Sequence, residues 1–210
     1  IYRSGAVLSL CSIGFDAFLL ESAIALLCGR TVLLTNPRQQ ENPAELARLI
    51  HDYGVGFLST TPSRLSALLS DTGFALALRR LESIICGGEA FPSELLHRLR
   101  GYTGAHIYNQ YGPSETTVAV SLCRLDRAER ITIGRPMENC HLYVLDDDLQ
   151  PLPTRIYGEL YVGGVCVGRG YRGDPELTAQ RFLPSPFECG EVLYKTGDIA
   201  CWTADGELEL

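Results

Sequence analysis

From the first residues to about residue 110, strand-sized apolar runs alternate with helix-sized amphipathic ones, and this alternation constrains the fold more than any other feature. "AVLSL", "TVLLT", "VGFLS", "LESIICGG" and "AHIYN" have strand length and composition. Between them stand residues 16–28, "NPAELARLIHDY", "PSRLSALLS" and "FPSELLHRL", with apolar residues at helical spacing. In "NPAELARLIHDY", Asn42 supplies a cap, Pro43 suits the first turn, and Leu46, Leu49, Ile50 and Tyr53 line one face. Repeated strand–helix units produce a mostly parallel sheet with helices packed on it. Beyond residue 117 the texture changes. "TVAVSL", "HLYVLD", "GELYVGG", "VLYKTGD" and "GELEL" are short strands separated by Gly, Pro and Asp turns, and "DPELTAQRF" is the helical pattern among them. The expected class is α/β: mostly parallel sheets with packed helices over residues 1–123, then a small β-rich, barrel-like region over 124–210.

Charge excludes one class of partner. The 18 Lys and Arg against 25 Asp and Glu leave a net charge of −7, and no basic run occurs, so a nucleic-acid surface is not expected. No apolar stretch reaches the length of a membrane span, and no signal peptide is visible. The 8 cysteines form no C-x-x-C pair and no Cys/His zinc spacing. Those in apolar runs, Cys28 in "IALLCG" and Cys86 in "SIICGG", are expected to be buried thiols of a reducing, cytoplasmic compartment.

In open α/β sheets, ligands bind beyond the carboxyl ends of the strands. "TTPS", "GGEA" and "NQYGPSE" occupy those places. Adjacent glycines let a ligand approach the backbone. The rigid Gly112-Pro113 turn would set Tyr111 on one side and Glu115 on the other. A tyrosine face stacks on a purine, and a carboxylate holds a magnesium ion bridging phosphates. These residues equally allow a structural turn, with Tyr111 in the core and Ser114-Glu115 starting a helix. Neither a P-loop nor a G-x-G-x-x-G fingerprint is present to decide between them.

Six stretches in order do decide: "FDAFLLE" (15–21), "GGEAFPSELL" (87–96), "IYNQYGPSETT" (107–117), "IGRP" (133–136), "GELYVGGVCVGRGY" (158–171) and "LYKTGD" (193–198). With them the chain resembles the adenylation domains of nonribosomal peptide synthetases, within the adenylate-forming superfamily, over nearly its whole length. The resemblance implies a reaction of amino acid and ATP giving aminoacyl-AMP and pyrophosphate, followed by loading onto the phosphopantetheine of a peptidyl carrier domain beside a condensation domain. It implies that Asp16 pairs with the substrate ammonium. Gly88, Glu89, Ala90, Asn109 and Tyr111 would border the nucleotide, and Asp198 would bind the ribose hydroxyls. Ser114, a threonine in most members, would contact the phosphates, and Glu115 would ligate Mg2+. The side-chain pocket implied comprises Asp16, Ala17, Leu20, Ser59, Ile85, Gly87, Gln110, Val118 and Ala119. Its small residues leave room, Leu20, Ile85 and Val118 form walls, and no second charge is present. This points to a neutral, bulky amino acid, an aromatic such as tyrosine. Gln110 would matter most if it turned inward, and its plainer alternative is an amide turned to the backbone.

Three departures touch turn or packing positions: Phe18 for a serine, Thr154-Arg155 for Val-Gly, and Cys166 with Gly168 for Gly and Ala. The family's phosphate loop would precede residue 1, and its C-terminal lobe with the catalytic lysine would follow residue 210. The chain is therefore expected to be a segment of a larger enzyme, inactive alone. Two other readings stand beside it: an acyl-CoA or aryl-acid ligase of the same superfamily, and a non-catalytic nucleotide-binding fragment.

Overall fold

The computed structural model describes residue 2 and residues 4–210. They form two compact units: Ile1–Asn109 with Arg124–Ile131, and Gln110–Cys123 with Thr132–Leu210.

The first unit runs β1 (Ala6–Ser9), a π-helical turn (Leu20–Ile24) continuing into α1 (Ala25–Leu27), β2 (Val32–Leu34), α2 (Pro37–Gln40), α3 (Pro43–Asp52), β3 (Val55–Thr60), α4 (Pro62–Leu68), α5 (Thr72–Ala77), β4 (Ser83–Gly87), α6 (Ser93–Tyr102) and β5 (His106–Tyr111). The last two residues of β5 belong to the second unit. The strand order is β2-β1-β3-β4-β5, and β1 pairs in parallel with both β2 and β3, as β3 does with β4. This is the sheet the alternation predicts. Every residue of β3 is buried, as a central parallel strand covered on both faces requires. Asn42 caps α3 through its Oδ1, which accepts from the N–H groups of Ala44 (3.1 Å) and Glu45 (3.2 Å). Leu46 and Ile50 then face the core, where Val7, Ala25, Phe57 and Ile85 form one cluster of buried side chains.

Residues 124–131 return to this unit for particular reasons. Leu125 is buried, and its N–H donates to the Ile107 carbonyl at 2.7 Å. Arg100 donates to the carbonyls of Leu125 and Ala128, both at 2.6 Å. Asp126 accepts two bonds from Arg124, at 2.7 and 2.9 Å, and lies 3.6 Å from His106 Nδ1.

The second unit contains β6 (Ser121–Arg124), β7 (Arg135–Pro136), β8 (Cys140–Leu145), β9 (Gly158–Gly164), α7 (Pro175–Arg181), β10 (Phe182–Pro184), β11 (Val192–Trp202) and β12 (Leu208–Glu209). The antiparallel sheet runs β10-β11-β9-β8, with β12 added to β11. The barrel-like expectation thus takes the form of an antiparallel sheet whose path ends at β10 and β8. Val120, Ile133, Leu142, Leu160, Val162 and Leu208 are among the buried side chains of its core.

Three local expectations need correction. "TVAVSL" does not begin a strand at residue 117, because Thr117 and Val118 take φ of 62° and 70°, and β6 starts at Ser121. Residues 16–28 are not one α-helix: Asp16 and Ala17 lie in a turn, and five residues from Leu20 wind as π-helix. Cys86 is buried as expected, but Cys28, at the end of the helical run, is exposed, and all eight cysteines are free thiols. Among the described residues no helix is long and apolar enough to cross a membrane.

Candidate functional site

In the first unit the candidates gather at the carboxyl ends of the strands. Ser59 on β3 and Ile85 on β4 are register partners, and Leu20 packs against the cluster containing Ile85. Gly87 ends β4, and beyond it Gly88 (φ +80°), Glu89 and Ala90 are exposed. The Glu89 carboxylate accepts from the Ser63 hydroxyl (2.7 Å) and the Ser63 N–H (3.0 Å), bonds that lower its pKa. Its side chain is thereby tied to the start of α4. Asn109 is buried on β5.

Asp16 is half-buried beside Ala17 in the turn that follows β1. Its carbonyl accepts from Leu19 N–H at 2.9 Å, while its carboxylate makes no hydrogen bond or ion pair among the described residues. It does not cap the helix. The partly covered carboxylate is therefore open to a charged partner.

What holds this turn escaped sequence reading. Glu21 is 0% exposed, and its Oε2 accepts from Ser9 Oγ (3.0 Å), Leu10 N–H (2.8 Å) and Cys11 N–H (2.9 Å). It ties the chain leaving β1 to the helical segment behind Asp16. Burial raises the Glu21 pKa, against the pull of these donors. Burial, and then Glu21, push the Cys11 thiol up to about 12. An acid inside the apolar run "FLLESAIALL" was the available signal.

In the second unit the candidates lie on one loop and one strand. Tyr111 Oη donates to Asp198 Oδ2 on β11 at 2.6 Å, joining two residues 87 apart in the chain. Burial, followed by the Asp198 carboxylate, raises the phenol's pKa, so it remains a donor. The Asp198 N–H donates to Thr196 Oγ1 at 3.0 Å. Glu115 Oε1 accepts from Tyr171 Oη at 2.6 Å. Burial works against ionisation of Glu115, but the Tyr171 hydroxyl and the Arg181 charge bring its pKa below the usual carboxylate range. Ser114 is exposed beside it.

The loop folds back tightly between these groups. Val120 N–H donates to the Tyr111 carbonyl at 2.9 Å. A Cβ on Gly112 would lie 2.6 Å from Ala119 Cα and 2.8 Å from the Val118 carbonyl oxygen, so only glycine fits. Gln110 Nε2 donates to the Val118 carbonyl at 3.3 Å. Its amide thus takes the plainer of the two orientations and holds the Val118 carbonyl in the loop that returns toward β6.

With this geometry in place, comparison with known proteins is decisive for the family. The model of the family described as AMP-binding enzyme matches residues 2–172. The chain belongs to the AMP-binding enzyme family. It is 41% identical over 191 residues to the PKS-NRPS hybrid synthetase ATPKS of Aspergillus niger, covering 91% of this chain and 10% of that protein. Among solved structures, holo-AB3403, a four-domain nonribosomal peptide synthetase bound to AMP and glycine, has TM-score 0.88 and 33% identity, over 98% of this chain and 15% of that one. The N-terminal subdomain of Klebsiella oxytoca NpsA, in complex with 3-hydroxybenzoyl-AMSN, has TM-score 0.87 and 26% identity, over 98% of this chain and 52% of that one. The resemblance to nonribosomal synthetase adenylation domains stands, and the chain spans a small part of its synthetase relatives. For an AMP-binding fold, the residues present suit Mg2+ at one point: the Glu115 carboxylate has a pKa below the usual range, which favours the charged form that a cation needs.

Proposed function

We propose that this AMP-binding chain is the adenylate-forming part of a cytoplasmic nonribosomal peptide synthetase that activates an amino acid with ATP and passes it to a carrier-bound phosphopantetheine thiol. The observation that carries the reading is the 2.6 Å bond from Tyr111 to Asp198, which assembles two nucleotide-binding candidates from distant parts of the chain. The hydroxyl bond restrains the Tyr111 ring, which packs against the second unit's core and would border the adenine, and Asp198 keeps its second carboxylate oxygen for a ribose hydroxyl. Glu115 would hold Mg2+, which would supply charge neutralisation for the phosphates; Ser114 offers them a hydroxyl. Asp16 receives the substrate ammonium. In the first unit Ala17, Leu20, Ser59, Ile85 and Gly87 would line a neutral side-chain site; Gln110, Val118 and Ala119, which the family resemblance adds, belong to the second unit. The absence of a second charge among them favours a bulky or aromatic amino acid.

The aryl-acid alternative has support in the NpsA complex with a hydroxybenzoyl ligand. Asp16 argues against it, because a substrate without an ammonium leaves that carboxylate unpaired. ATP–pyrophosphate exchange by the synthetase containing this chain decides. Exchange is expected with neutral amino acids and not with aryl acids. Asp198→Asn should raise the KM for ATP about tenfold, the effect of about 1.4 kcal/mol. Asp16→Asn should lower amino-acid kcat/KM by about a hundredfold or more while leaving the ATP KM within about twofold. Exchange with aryl acids alone, undiminished in Asp16→Asn, overturns the amino-acid reading.

A further inference from the structure

A second group of ligand-bearing side chains lies in the antiparallel unit, apart from the residues discussed above. His141 on β8 and Glu188 and Glu191 in the turn before β11 each offer one ligand atom, and these atoms all lie within 4.8 Å of one another. They line a cavity of about 830 Å³, bordered also by Asn139, Arg169 and Cys189.

Carboxylates near a histidine are common on surfaces, so the particulars of Glu191 matter. Its side chain is only 7% exposed, although His141 beside it is 44% exposed. Oε1 lies 2.6 Å from His141 Nδ1. Oε2 is buried and has no hydrogen-bond partner among the described residues. An orphaned oxygen on a buried carboxylate is costly, on the order of 1–3 kcal/mol or more for a charged group, unless something absent from the protein pairs with it. The fold makes room for this carboxylate. His141 is the register partner of Gly163 on β9, and a Cβ on Gly163 would lie 2.6 Å from Glu191 Oε1. A turn then sets the two acids three residues apart, with Glu191 N–H donating to the Glu188 carbonyl at 3.2 Å and Gly190 at φ +83°.

We propose that His141, Glu188 and Glu191 form a binding site for a divalent transition-metal ion of the zinc type, facing the cavity. Imidazole nitrogen and carboxylate oxygen are both zinc donors, and three protein ligands leave a fourth position for water, as in open zinc sites. The imidazole favours zinc, copper, iron or nickel over calcium, magnesium and manganese. Ligand atoms around a tetrahedral ion at about 2.1 Å are about 3.4 Å apart, so closing the site needs side-chain shifts of about 1 Å. Cys189 is not among the ligands.

The test is titration of the full chain, kept reduced, with Zn2+ by calorimetry and with Co2+ by visible absorption. Expected are one saturable site and Co2+ ligand-field bands that Cys189→Ser leaves unchanged, with no thiolate charge-transfer band. His141→Ala and Glu188→Gln should each weaken the site at least tenfold. Glu188 is exposed, so Glu188→Gln leaves folding intact and keeps the test valid should His141→Ala unfold. Absence of saturable binding up to millimolar metal, affinity unchanged in Glu188→Gln, or bands lost in Cys189→Ser would each overturn the site and leave His141 and Glu191 as an ion pair.

Discussion

Asp126 shows how one side chain can hold a chain crossing in place. The bidentate bond from Arg124, opposed by partial burial, brings its pKa down to about 2. A depressed carboxylate pKa means stability that is present above the unfolded value near 3.9 and disappears as pH falls through the folded value. Asp126→Asn should therefore destabilise the first unit by about 1 kcal/mol at pH 6, a figure reduced for the solvent screening the exposed Arg124. The difference from the unaltered chain should vanish as pH approaches 2; melting curves across that range would refute the assignment if the gap stayed constant. At this same scale, legibility was uneven. Asp16, Tyr111, Glu115 and Asp198 are candidates through motif order alone, since nothing local marks "TGD" as more than a turn. Glu21 stayed hidden because a buried acid looks like a surface residue until its three donors are visible. The ligands at 141, 188 and 191 come from segments whose proximity depends on strand pairing, which spacing along the chain does not report.

At the scale of elements, periodicity was readable wherever burial and propensity agreed. β3 and α3 were found because an unbroken apolar run and a capped amphipathic pattern each have one stable solution. The short α2 and α5 were missed, since neither is long enough to show a period, though Asn36 and Asp71 cap them. The loop from Tyr111 to Val120 was read as partly strand because "TVAV" is β-branched; its backbone instead obeys the contacts around Gly112. Gly112→Ala tests that account. The added methyl meets the Val118–Ala119 backbone, which cannot rotate away, so a loss of about 2–3 kcal/mol is expected in denaturant melts, together with loss of the Tyr111–Asp198 bond. Unchanged stability would show that the loop relaxes freely.

For the molecule as a whole, the parallel sheet with helices followed by an antiparallel region was legible from texture alone. The path by which the chain divides between its units was not. The boundary expected near residue 123 falls where eight residues, Arg124–Ile131, rejoin the first unit through Leu125 and Arg100. Single buried anchors of this kind carry no periodic signal. The first unit also exposes apolar side chains close together in sequence, Ile13 at 83% and Leu27 at 87%, with Leu34 on the strand that ends its sheet. Large apolar side chains this exposed favour association between copies. Leu27→Lys should reduce concentration-dependent light scattering of the full chain and leave its melting temperature essentially unchanged, because Leu27 packs against little. Scattering that persists unchanged would place the sticky surface elsewhere.

The polypeptide passes from one unit to the other three times, at 109/110, 123/124 and 131/132. A swap of either body between related synthetases therefore needs three splice points, and a single crossover would graft half of one body onto half of another. A swap of the second body would move residues 110–123 together with the 132–210 stretch as one cassette, keep the eight-residue return with its original host, and leave Asp16, Ala17, Leu20, Ser59, Ile85 and Gly87 in place.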